Sequence, residues 1–87
     1  MSETFSTPSA LREFALETAA QLRAGGPVEA AGRLEEAAND VSSSGWEWLG
    51  ELGAAATKIK DGFELPAPIA ARLKRIRKTA TARKPYG

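Results

Sequence analysis

Seven basic residues, Arg72, Lys74, Arg75, Arg77, Lys78, Arg83 and Lys84, crowd residues 65–87 of this 87-residue chain, and no acid lies among them. Residues 1–64 hold all eleven acids and five bases, so a net −6 is followed by a net +7. The overall charge of +1 conceals a strongly polarised molecule. Lysine and arginine at this density grip anions, either duplex phosphates through counterion release or an acidic protein surface.

Other chemistries find little support. There is no histidine and no cysteine. Thiolate nucleophiles, disulfides and zinc sites built on those residues are therefore excluded. Glu13 and Glu17, four apart, share a helical face but read as solvated surface, and Glu35 and Glu36 diverge on a helix. Ser42, Ser43 and Ser44 have no base in their pattern. Gly25-Gly26-Pro27 lacks the lysine and the preceding strand of a phosphate loop. Asp40 and Asp61 stand alone, unlike a calcium loop. The expectation is a non-enzyme with no catalytic residues, no cofactor and no metal. No motif is specific enough to name a family.

The elements that carry the cations follow from punctuation and period. Thr7-Pro8 opens a first helix with a side-chain cap and a proline at the first position. Leu11, Phe14, Ala15, Thr18, Ala19 and Leu22 share one face of it, and Gly25-Gly26 ends it. A second helix is predicted over about 27–41, with Ala31, Leu34, Ala38 and Val41 as its buried stripe. Ser44 and Glu47 form a capping box for a third helix. There Trp48, Leu49, Leu52, Ala55, Ala56 and Ile59 face the core, while Trp46, Gly50, Gly53 and Thr57 form a second stripe. A glycine inside a helix costs about 1 kcal/mol relative to alanine, so close approach of a neighbouring helix is the reason expected for these two.

Asp61-Gly62 closes the third helix, and Pro66 and Pro68 mark an extended joint. In the fourth helix Ile69, Leu73, Ile76 and Ala80 fall within an arc about 60° wide at 100° per residue. Arg72, Lys74, Arg75, Arg77 and Lys78 occupy the rest of the circumference. The fold expected is all-α, a small bundle of three helices plus a basic amphipathic fourth helix. Its divisions are a flexible N-terminus over 1–7, a three-helix core over 8–62, the joint and basic helix over 63–81, and a flexible tail over 82–87.

Three readings compete for the basic helix. Its cations could answer this chain's own acids, chiefly Glu35, Glu36 and Asp40. They could contact nucleic-acid phosphate, without base reading, because the segment has no Asn or Gln and no aromatic before Tyr86. They could rim a contact in which Ile69, Leu73 and Ile76 enter the groove of an acidic protein. A membrane surface fits less well, because the apolar arc is narrow and lacks Trp or Phe. Trp46 and Trp48 diverge by roughly 160° on a helix, which assigns Trp48 to the core and leaves Trp46 to cover the fourth helix or anchor an interface.

The partner-binding residues expected are therefore Arg72, Lys74, Arg75, Arg77, Lys78, Ile69, Leu73, Ile76 and Trp46. An acidic protein surface is the preferred partner, nucleic acid the second, and self-association is compatible with both. No secretory signal and no apolar run of membrane-spanning length appear, so a cytoplasmic protein is expected. Shortness and missing chemistry suit a regulator, inhibitor or immunity-type protein, and a mobile-element origin would fit the size.

Overall fold

The computed structural model describes residues 7–40 and 45–81, with side chains from Glu47 onward in the second stretch. Four helices account for nearly all of them: α1 (Pro8–Gly25), α2 (Val28–Ala38), α3 (Gly45–Gly62) and α4 (Ala67–Thr81). The fold is all-α, and the described residues contain no strand. The expected cap at Ser44, the stripe position Val41 and the tail over 82–87 lie outside the described residues, as does most of the expected N-terminal segment.

α1 starts where its sequence dictates. The Thr7 hydroxyl accepts from the Ala10 amide at 3.1 Å, and Pro8 follows at the first position. α2 is shorter than expected and stops at Ala38. Asn39, a weak helix former, caps it, donating its amide to Glu35 O at 2.9 Å. That amide is the backbone N–H; the Asn39 side-chain oxygen accepts from Arg12 of α1 at 3.0 and 3.3 Å, a tertiary contact that fixes the helix end. α4 begins one residue before Pro68, which sits in the first turn rather than in an extended joint. Its missing N–H costs nothing there, and the Pro66 carbonyl accepts from Ile69 and Ala70 at 3.1 and 3.0 Å.

The helices close a ring. α1 packs on α2, α2 on α3, α3 on α4 and α4 back on α1, whereas α2 and α4 share no contact. Contact is most extensive within the α1/α2 and α3/α4 hairpins. The least dimension, 19 Å, suits two helix layers. Leu11, Leu22, Leu34, Leu49, Leu52 and Ile59 are buried as expected, together with Leu73 and Ile76 from α4. Phe14, expected in the core, is only half-buried: it packs at the core's edge, with arginines of α4 over its ring. Alanines 15, 19, 30, 31, 38 and 56 fill the remaining core positions. They bury little area but let the helices lie close. Trp48 belongs to the core, and its indole N–H donates to Ala38 O at 3.0 Å, satisfying a carbonyl that the end of α2 leaves open.

The two glycines of the α3 stripe part company. A Cβ built on Gly53 would lie 2.5 Å from the Ala80 Cβ, so α3 and α4 meet there at a distance only glycine permits. At Gly50 a Cβ would meet nothing within 4 Å. Gly53→Ala should therefore force the hairpin apart and lower stability by about 1–3 kcal/mol, outweighing its gain in helix propensity. Gly50→Ala should raise stability by up to about 1 kcal/mol. Urea unfolding of the two variants checks this, and equal shifts would remove the close approach from the account.

Candidate interaction face on α4

The apolar arc of α4 sets which way its cations point. Ile69 is 5% exposed, Leu73 and Ile76 are fully buried, and Thr79 joins them at 1%. With this side held by the core, 100° per residue turns Lys74 and Lys78 to solvent, beside Ala67, Ala71 and Thr81. Arg72 and Arg75 fall on the flank toward α1, and Arg77 on the opposite flank.

Arg72 is committed to the fold. Its Nε donates to Thr18 Oγ1 at 2.8 Å, and its Nη2 donates to Phe14 O at 3.2 Å and to Glu17 Oε2 at 3.4 Å. The guanidinium carbon lies 3.9 Å from the centre of the Phe14 ring. Thr18 is fully buried, and its hydroxyl in turn donates to Phe14 O at 2.8 Å. One planar cation thus supplies a donor to a buried hydroxyl, a second donor to an α1 carbonyl and a face to an aromatic ring. Arg75 stands over the other side of this cluster, 5.0 Å from the same ring.

Lys74 and Arg77 are different. Among the described residues the side chain of neither takes part in an ion pair or hydrogen bond, and no acid lies on their helix. Lys74 and Lys78, one turn apart and exposed, make the outward cationic face, and half-buried Arg77 borders it on the flank.

Two expectations need correction. Ile69, Leu73 and Ile76 complete this chain's own core, so they cannot enter a partner's groove while the helix stays docked. The basic helix does not answer Glu35 and Glu36 of α2 either, because α2 and α4 do not touch. Glu35 pairs with Arg23 of α1, and Arg72 of α4 meets Glu17 of α1. The anchor at Thr18, Phe14 and Glu17 was missed in the sequence. Its signal was a threonine in an apolar stripe, since a buried hydroxyl calls for a hydrogen-bond partner. The side chain of Trp46 lies outside the described residues.

Elsewhere the described residues line shallow cavities, among them the following pair. One of about 530 Å³ runs along the outer side of α2, lined by Glu29, Gly32, Arg33, Glu35, Glu36 and Asn39. The other, about 280 Å³, lies between α2 and α3, lined by Arg33, Glu51, Ala54, Ala55 and Lys58. The described residues contain no group of three acids placed to hold a metal ion. No helix among them is long and apolar enough to cross a membrane.

The division of labour along α4 is measurable. Arg72→Ala removes charge-assisted hydrogen bonds worth about 1.5–3 kcal/mol when well buried, and less here because the side chain remains 22% exposed. A loss near 2 kcal/mol, or roughly 8–16 °C in Tm, is expected. Arg77→Ala and Lys74→Ala should stay within about 0.5 kcal/mol of the parent. Thermal unfolding followed by circular dichroism separates the two groups.

No family model, characterised protein or solved structure matches this chain.

Proposed function

We propose that this chain is a small non-catalytic interaction protein that docks on an acidic protein surface through the outward cations of α4. The observation that carries the reading is the pair Lys74 and Arg77, unpaired among the described residues and presented beside Lys78 on a helix that its own core holds in place. Such a face loses little conformational entropy of the backbone on docking, because the helix is already formed. Regulators, inhibitors and immunity-type proteins act in this way, by occupying a surface. The contact is electrostatic, since the apolar edge of the helix is turned inward, and it should weaken steeply with salt.

Phosphate backbone is the second reading, favoured by the lack of an exposed large apolar side chain on this face. The only large apolar residue of high exposure among the described ones is Val28, on α2. Against a polyanion stands the rest of the molecule, since residues 1–64 carry a net −6 and a long duplex repels them as well. A local acidic patch on a protein imposes no such penalty.

Fluorescence anisotropy with a labelled poly-glutamate peptide and a short DNA duplex tests both. The peptide should bind at low salt, and the Lys74→Glu/Arg77→Glu variant should lose that binding with an unchanged circular dichroism spectrum. Binding that survives the double reversal would overturn the proposal. Preferential duplex binding, with a log–log salt slope near −3.6 for the four cations Lys74, Arg75, Arg77 and Lys78, would establish the phosphate reading instead.

A further inference from the structure

The segregation of charge along the chain becomes a segregation in space. α4 carries five bases and no acid, whereas α2 carries three acids and one base. In the ring these two helices stand on one diagonal and do not touch, so the most basic and the most acidic helix turn their outer sides away from each other. We propose that the outward face of α4 docks on the outer side of α2 in a second copy of this chain. The inference rests on the reading of α4 as a cationic docking face and names an acidic surface for it.

The acidic side has the shape and charge for this role. On α2 the arc opposite the buried residues Ala30, Ala31, Leu34 and Ala38 presents Glu29, Gly32 and Glu36. Glu29 holds Arg33 at 2.9 Å, and Glu35 is held by Arg23. Glu36 is exposed and takes part in no ion pair among the described residues. Gly32 leaves the floor of the cavity without a side chain, and a Cβ there would meet nothing within 4 Å. The resulting furrow of about 530 Å³ has room for the stems of lysine and arginine, with carboxylates at its edge.

The basic side is built to match. Ala67 and Ala71 are exposed on the same arc as Lys74 and Lys78, so a low ridge runs between the cations. A ridge of small residues against a glycine floor lets two helices approach closely. The unpaired Lys74 and Arg77 of one copy then meet the unpaired Glu36 of the next.

The arrangement fixes the symmetry as well. Two copies related by a two-fold axis cannot use both contacts at once, because the two faces point in opposite directions. The contact is heterologous and adds copies head to tail. It is also weak, since exposed ion pairs supply most of it.

Sedimentation velocity across a concentration series tests this in about 0.02 M salt, where charges act over roughly 20 Å. The average mass should rise with concentration beyond twice the monomer, and should return to the monomer in about 0.5 M salt. Glu29→Gln/Glu36→Gln and Lys74→Gln/Arg77→Gln should each be monomeric alone. Mixed, they should form a one-to-one dimer that grows no further, because each retains one of the two faces. A monomer at low salt, a plateau at the homodimer, association that persists at high salt, or a mixture that fails to pair would each overturn the inference. The poly-glutamate assay keeps the two proposals apart: a chain that binds the peptide but stays monomeric retains its docking face and loses only this partner.

Discussion

Closure of the ring joins a shared apolar core to one guanidinium. α1 and α4 are the first and last helices, and no short loop holds them together; Arg72 does so by reaching Thr18, Phe14 and Glu17. The contact fixes more than proximity. Because it sits on the flank of α4 beside Leu73 and Ile76, it locks the rotation about the helix axis that the apolar arc selects. Rotation decides which cations are seen by solvent: with Arg72 turned to α1, Lys74 and Lys78 must point outward. A side chain that looks like part of a binding surface is therefore what orients that surface.

The second constraint lies on the other flank. Ala80 lies so close to Gly53 that no larger residue fits at position 53 without displacement. Between this contact and the Arg72 clasp, α4 is located from two sides. Trp48 plays a comparable part for α2 and α3, filling the core and bonding the last carbonyl of α2 with one side chain. A core made largely of alanine gives modest stabilisation per residue, so these few directional contacts specify a geometry that apolar burial alone would leave loose.

Much of this architecture was legible in the sequence, for reasons that lie in local chemistry. Thr7-Pro8, Gly25-Gly26 and Asp61-Gly62 mark helix ends through caps and conformational preference, and those ends stand where they were expected. The apolar phases of α1, α3 and α4 follow from period alone. What failed were statements about which helix meets which. The charge pattern suggested that α4 would answer the acids of α2, but charges at the surface do not choose helix neighbours; buried area and loop length do. The end of α2 was misjudged because Asn39 finds Arg12 across the α1/α2 interface, a contact without local trace. Phe14 was placed in the core because period cannot tell a central position from one at the core's edge, where arginine supplies the covering group. Of the candidate site, the cationic positions were readable, whereas the split between committed Arg72 and unpaired Lys74 and Arg77 required the fold.

The concentration of cations on α4 is sustainable only because its other side is buried. Lys74 and Lys78 are four apart, and Arg72 with Arg75, Lys74 with Arg77, and Arg75 with Lys78 are three apart. Each such like-charged pair costs a helix about 0.2–0.5 kcal/mol, so the four together oppose the helix by about 1–2 kcal/mol. A segment of this length is marginal on its own, and with that repulsion it would not be helical in water. Burying Ile69, Leu73 and Ile76 contributes about 1.5–3 kcal/mol each, which exceeds the repulsion several-fold. The apolar edge is thus what holds five positive charges in one rigid array. That explains why the edge cannot also be the contact: a partner that drew it out would dissolve the helix that presents the cations.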